Sequence, residues 1–258
     1  MENEVEKFSI LQITPVGRSN TEAVVAREFP VTITLNGQEL VTMLCSPKEM
    51  DCLAVGFLAS EGLLKSRDEI KEILVDAERG VVRVKTTEDK SLGRDMFMRV
   101  ISSGGSRGAS FYSPAASDKK VESTIKVKAA EVIKLADQFQ HYSELHRVTR
   151  GVHSAALCDN KSILVFSDDI GRHNAIDKIF GRCLLENITT NDRIMITSGR
   201  VSSEILHKMV KRDIPVVITI AVPTNIGVRI ANNLGITLIG SLKGSRGLDV
   251  YTNDWRVL

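Results

Sequence analysis

The spacing of apolar and polar positions divides the chain into two regimes. Residues 8–45 alternate with the period of two that half-buried strands require, and the runs 30–35 and 40–44 flank Asn36-Gly37. Both turn residues tolerate positive φ, so this stretch predicts a β-hairpin. Ser46-Pro47-Lys48-Glu49 has the form of a capping box with proline in the first turn. It predicts a helix carrying Leu53, Val55, Phe57 and Leu58 to a stop at Gly62. Residues 70–75 and 80–86 read as a further pair of strands, and 96–101 as another. Together these elements predict a smaller, mostly antiparallel α+β N-terminal domain over residues 1–123.

The pattern breaks at Ser102-Ser103-Gly104-Gly105-Ser106-Arg107-Gly108-Ala109-Ser110, which is small and nearly free of core formers, as a flexible loop or linker would be. Helical periodicity resumes over 128–139, with Val132, Ile133, Leu135, Ala136 and Phe139 on one face. Beyond Gly151 strands and helices alternate: strands 152–157 and 162–166, helix 174–185, strand 193–197, helix 202–211, strand 215–220, helix 224–234 and strand 236–239. Connections of this length imply right-handed crossovers and a parallel sheet covered on both faces. Residues 124–258 are therefore expected to form an α/β domain.

In such a sheet the loops at the carboxyl ends of the strands share one edge, where ligands bind. The loop at 168–174 carries Asp169, Arg172, His173 and Asn174, and the loop at 197–203 carries Ser198 and Arg200. A third covers 221–225. The fourth, 240–247, carries Leu242, Lys243, Gly244, Ser245, Arg246 and Gly247. Hydroxyls, glycine amides and arginine forks beside helix starts suit a phosphorylated or nucleotide ligand. The same residue types also make ordinary caps and turns: Asp168 or Asp169 can bond backbone amides, Ser202 and Thr224 can act as N-caps, and Gly199 can shape a turn.

Charge and composition narrow the classes. With 34 basic and 32 acidic residues the net charge is +2, which gives no footprint for nucleic acid, although the basic loop at 243–246 can hold a phosphate. No apolar run approaches the roughly 20 residues of a membrane span. Cys45, Cys52, Cys158 and Cys183 lie in apolar runs without a C-x-x-C pair, so neither a disulfide framework nor a zinc knuckle is indicated, and a reduced, cytoplasmic setting fits. His153, on a predicted strand, reads as a hydrogen-bonded core histidine. The H-x-E and P-C-x-x-C elements of zinc deaminases are missing around it.

Taken together, Ser46-Pro47-Lys48-Glu49 through Val55-Gly56-Phe57 to Ser60-Glu61-Gly62, Gly151-Val152-His153, Asp169-Ile170-Gly171-Arg172-His173-Asn174-Ala175-Ile176-Asp177-Lys178, Thr197-Ser198-Gly199-Arg200 and Val250-Tyr251-Thr252 closely resemble the FdhD/NarQ family of formate dehydrogenase accessory proteins. The resemblance implies a cytidine-deaminase-like three-layer α/β C-terminal domain without the deaminase zinc, and a homodimer. It also implies an activity, the passage of sulfur from a cysteine desulfurase to the bis form of the molybdenum guanine dinucleotide cofactor before that cofactor enters formate dehydrogenase. A guanine nucleotide would be a partial mimic. The loop at 242–247 is the implied cofactor-binding segment.

One departure bears on the activity. Where the family carries a C-G-x-C-G segment, this chain has Gly104-Gly105-Ser106-Arg107-Gly108, so Gly104 and Arg107 stand at the positions of the sulfur-bearing cysteines. Neither side chain can form a persulfide, which needs a thiolate. Two functions follow from the sequence: a cofactor-sulfuration factor, or a non-catalytic binding protein for the same cofactor.

Overall fold

The computed structural model describes residues 3–88, 99–101, 120–240 and 247–258. Among these the backbone is mixed α/β, with three sheets and six α-helices. The chain begins with an antiparallel ribbon of β1 (Val5–Thr14) and β2 (Gly17–Ala26). The expected hairpin follows as β3 (Phe29–Leu35) and β4 (Gln38–Cys45), with Asn36 and Gly37 at φ 49° and 83°.

The hairpin of β5 (Ile70–Asp76) and β6 (Val81–Thr86) joins it through a parallel β3–β6 pairing, and β7 (Arg99–Ile101) adds parallel to β4. The five-stranded sheet, in the order β5-β6-β3-β4-β7, is therefore mixed rather than mostly antiparallel. Each hairpin is antiparallel within itself, as local turns dictate, but the strands that meet between hairpins run the same way.

Helix α1 (Met50–Glu61) ends at Gly62 in the left-handed region, as expected, but it does not begin with a capping box. Its N-cap is Glu49, at φ 55° and with no side-chain cap, and Ser46 is engaged elsewhere. The Ser46 N–H donates to Asp169 Oδ2 at 3.0 Å, and its hydroxyl accepts from the Ile170 N–H at 3.1 Å. A long-range capture thus overrides a local motif. Ten of the twelve α1 residues are buried, because the helix lies between the five-stranded sheet and α4 (Arg172–Leu185). The two helices cross at Gly56 and Gly181. A Cβ on Gly56 would stand 1.7 Å from the Asp177 carbonyl oxygen, and one on Gly181 would stand 1.8 Å from that of Cys52.

The second sheet has six strands in the order β13-β12-β11-β10-β8-β9. It comprises β8 (His153–Cys158), β9 (Ile163–Asp169), β10 (Ile194–Thr197), β11 (Val216–Thr219), β12 (Thr237–Gly240) and β13 (Asp249–Thr252). Helices α5 (Ser203–Lys211) and α6 (Asn225–Asn233) connect the parallel strands β10, β11 and β12. The parallel sheet expected from the helical crossovers holds for β10, β11 and β12 and is corrected at its edges: β8, joined to β9 by a short turn, runs antiparallel to both β9 and β10, and β13, which the sequence reading missed, is antiparallel to β12.

Alternate strand residues face opposite cores. Leu157, Met195, Val217 and Leu238 pack with α4, α5 and α6, whereas Ala156, Ile196 and Ile218 pack with α2 (Ala129–Tyr142) on the other face. A short α3 (Glu144–Thr149), also missed, leads into β8.

Candidate functional site

The reversed direction of β8 decides what reaches the rim. Its first residue pairs with the last of β9, His153 with Asp169, and Ala155 pairs with Thr197 at the end of β10. His153 therefore stands among the carboxyl-end loops rather than inside the core. It is half-buried, with Nδ1 3.3 Å from Ser198 Oγ, and that oxygen accepts the Ser154 N–H at 2.9 Å. The Ser198 hydroxyl thus ties the imidazole to the start of β8, and either partner of the Nδ1···Oγ contact can be its donor, according to the tautomer.

Burial first, then the charges of Arg172, His146 and Arg200, push the His153 imidazole below its ordinary value, against an opposing pull from Asp169. The ring is neutral at pH 7. His173 is displaced further in the same direction, to about 3, by burial and then by Lys208, Arg172 and His153. Its Nε2 lies 3.4 Å from Glu204 Oε2, a carboxylate too exposed to hold a proton on the ring. The imidazole is therefore neutral at pH 7.

Arg172 lies across the loop between β10 and α5. A Cβ on Gly199 would be 2.8 Å from Arg172 Cβ, so glycine is what admits the arginine there. Arg172 Nε and Ser202 Oγ are buried, and each lacks a hydrogen-bond partner among the described residues. Ser202 is the N-cap of α5 by position yet caps nothing with its side chain, whereas Thr224 accepts the Gly227 N–H at 3.1 Å, as a conventional cap should. Two buried polar groups, Arg172 Nε at the start of α4 and Ser202 Oγ at the start of α5, are thus without a partner among the described residues, at helix starts that also favour anions.

The acids of the first loop face inward and build the floor. Asp169 is fully buried: Oδ1 accepts from the Gly171 N–H and Asn174 Nδ2, both at 2.8 Å, and Oδ2 meets Lys178 Nζ at 2.7 Å. Asn174 also donates to the Leu44 carbonyl at 2.9 Å. Lys178, equally buried, donates to the carbonyls of Ser46 and Asp168 at 3.2 and 3.3 Å. Asp168 accepts hydroxyl protons from Ser143 and Ser154 at 2.6 and 2.5 Å. Glu49 takes the Ser167 hydroxyl at 2.7 Å and pairs with Arg182.

Asp169 and Asn174 are thus committed to fixing the turn, while Arg172, His173, Ser198 and Arg200 converge around His153. Positive side chains dominate that cluster, and each carboxylate beside it has a protein partner, which is the condition for holding an anion. Of the remaining sequence candidates, Leu242, Lys243, Gly244, Ser245 and Arg246 lie outside the described residues, as do Gly104 and Arg107. Gly247 is described, at φ 130° with open space where a Cβ would sit. His153, which the sequence reading placed in the core, and His146, which it did not single out, both bear on the rim.

All four cysteines are buried and unpaired. Burial is the first cause in each case, raising Cys45, Cys52 and Cys158 to about 12 and Cys183 to about 11. None can present a thiolate at neutral pH. Ile101, at the end of β7, pairs with Met43 of β4. Among the described residues no group of three or more His, Cys, Asp or Glu could hold a metal ion, and no helix is long and apolar enough to cross a membrane.

Fold and rim together define a mixed α/β protein with basic side chains gathered at one sheet edge and all four of its cysteines buried. The chain belongs to the FdhD/NarQ family, whose model matches residues 26–258. The sulfur carrier protein FdhD of Staphylococcus aureus strain MRSA252 is 39% identical over 245 residues, covering 93% of this chain and 91% of that protein. The protein of the same name from strain JH9 matches to the same extent. Among solved structures, a formate dehydrogenase accessory protein from Desulfotalea psychrophila superposes with a TM-score of 0.79 at 26% identity, covering 98% of this chain and 99% of that one.

Proposed function

We propose that this chain is a formate dehydrogenase accessory protein that holds the molybdenum guanine dinucleotide cofactor, its cargo, by the guanine-nucleotide moiety at the rim. Arg172 and Arg200 take the phosphates, the Ser198–His153 pair supplies further donors, and the Asp169–Lys178 floor keeps the turn in place. The observation that carries this reading is the buried Arg172 Nε and Ser202 Oγ, two polar groups left for a ligand to satisfy beside a cluster of cations.

In this reading the chain takes part in sulfuration of the cargo without carrying sulfur on its own thiols. The named relatives are sulfur carriers, but the family's cysteine positions are Gly104 and Arg107 here, and the four cysteines present are sealed in the core. A cysteine desulfurase supplies the sulfur, formate dehydrogenase receives the cofactor, and the chain works as a homodimer in the cytoplasm.

Incubation with a cysteine desulfurase and cysteine, followed by intact mass measurement, tests the sulfur branch. The expected result is no mass gain of bound sulfur, and a persulfide on any of the four cysteines would overturn it. Calorimetric titration with GDP tests the binding branch. Wild type should bind, Arg172→Ala should bind at least about tenfold more weakly for loss of a charge-assisted contact, and absence of binding in wild type refutes the site.

A further inference from the structure

His153 stands where the elements of the rim meet, and each of them sends a polar or charged group toward it. On its own strand, the Ser154 N–H donates to Ser198 Oγ at 2.9 Å, and that oxygen lies 3.3 Å from His153 Nδ1. Helix α3 supplies His146, the first turn of α4 supplies Arg172 and His173, and the loop before α5 supplies Arg200. Glu204, on α5, meets His173 at 3.4 Å. From β9 come two carboxylates: Asp169, the register partner of His153, and Asp168, the register partner of Ser154.

Both carboxylates are already matched. Asp168 accepts the hydroxyls of Ser143 and Ser154. Asp169 meets Lys178 Nζ at 2.7 Å and accepts from the N–H groups of Ser46 and Gly171 and from Asn174 Nδ2. Its pull on the ring is outweighed, and burial first, then Arg172, hold the imidazole below its ordinary value. The arginines that suppress a proton on His153 are thus the two that the reading above gives to the phosphates.

We propose that His153 takes a proton from solvent when a nucleotide pyrophosphate is held by Arg172 and Arg200, and as an imidazolium becomes a third cation on that ligand. This rests on the nucleotide-binding reading and adds to it a linkage between binding and pH. A negative charge about 6 Å from an imidazole raises its proton affinity about a hundredfold at an effective dielectric of about 20. Ser198 suits the charged ring. Beside the Ser154 N–H its oxygen has a second lone pair for Nδ1–H, which leaves its own proton and Nε2–H for phosphate oxygens. By reciprocity, a ligand that favours the protonated ring binds the protonated form more tightly by the same factor.

GDP-mannose is the probe, because its pyrophosphate is a diester, whereas a terminal phosphate titrates near pH 6. Calorimetry of the full chain at pH 6.5, in two non-phosphate buffers of different ionisation enthalpy, measures the protons taken up on binding. Wild type should take up at least about 0.3 proton and should bind at least about threefold more tightly at pH 6 than at pH 8. His153→Gln should show neither effect, and His146→Gln, at an exposed neighbour, should keep both. The ring resonance of His153, followed by NMR in wild type, needs no variant: its titration midpoint should rise by at least about one pH unit with the probe bound. Binding without proton uptake, an unmoved midpoint, or a pH dependence that persists in His153→Gln or disappears in His146→Gln overturns this proposal and leaves the nucleotide site standing. A wild type that binds GDP-mannose at neither pH overturns both.

Discussion

Replacing Lys178 with methionine removes the counter-charge of Asp169 while keeping the length of the side chain. Both residues are fully buried, and their 2.7 Å contact lies under the turn that carries Arg172 and His173. Breaking a buried pair by removing one partner costs about 3–5 kcal/mol, since the remaining charge is left in low dielectric. Asp169 keeps three donors, the N–H groups of Ser46 and Gly171 and Asn174 Nδ2, which argues for about 3 kcal/mol on its account. The carbonyls of Ser46 and Asp168 also lose a donor, which brings the expected total to about 4 kcal/mol.

Urea unfolding followed by fluorescence and by circular dichroism measures the loss by linear extrapolation. The double variant Asp169→Asn/Lys178→Met should be more stable than the sum of the single effects by about 2 kcal/mol or more, because no uncompensated charge remains. A cost below about 1 kcal/mol for Lys178→Met, or a coupling near zero, would refute the view that this pair fixes the rim.

Gly56→Ala should cost at least about 3 kcal/mol, because its Cβ meets the Asp177 carbonyl at 1.7 Å, whereas Gly62→Ala, at φ 82° with open space around it, should cost only about 1–2 kcal/mol; thermal unfolding distinguishes them. His173 has its folded-state pKa lowered from 6.5 to about 3, so the unfolded chain binds more protons between those values and its share of stability, complete above pH 6.5, is lost as pH falls toward 3. That share should shrink by about 2 kcal/mol by pH 5, and His173→Gln should flatten the pH profile of urea midpoints in this window. The cysteines should be inert to a thiol-specific reagent at pH 7.5 and should all four react once the chain is denatured; rapid labelling of the native protein would contradict their burial.

Local chemistry made much of the fold legible. Asn36-Gly37 turns the hairpin and Gly62 stops α1, because each relies on backbone freedom written in the residue itself. The alternation of strands and helices after Gly151 was equally plain, since burial imposes it directly. What failed depends on partners distant in sequence. Ser46 looks like a cap until Asp169 and Ile170, more than 120 residues away, claim its amide and hydroxyl.

Strand direction is similarly nonlocal. The short turn at 159–162 makes β8 antiparallel to β9, but nothing in residues 153–158 says that β8 also inserts beside β10, and this is why His153 reads as a core histidine yet stands at the rim. Within the candidate site the sequence singled out the charged turn but could not divide its labour. Asp169 and Asn174 face the floor while Arg172 and His173 face the cluster, a division set by the seat of α4 on α1 at Gly56 and Gly181.

The most direct trial of the central claim, that the rim is built to hold a guanine nucleotide, is a crystal structure of the full chain soaked with GDP. Phosphate density within hydrogen-bond distance of Arg172 and Arg200, close to the Ser198–His153 pair, is the predicted result. Nucleotide bound on any other face of the molecule, with Arg172 Nε still unpartnered, would contradict it.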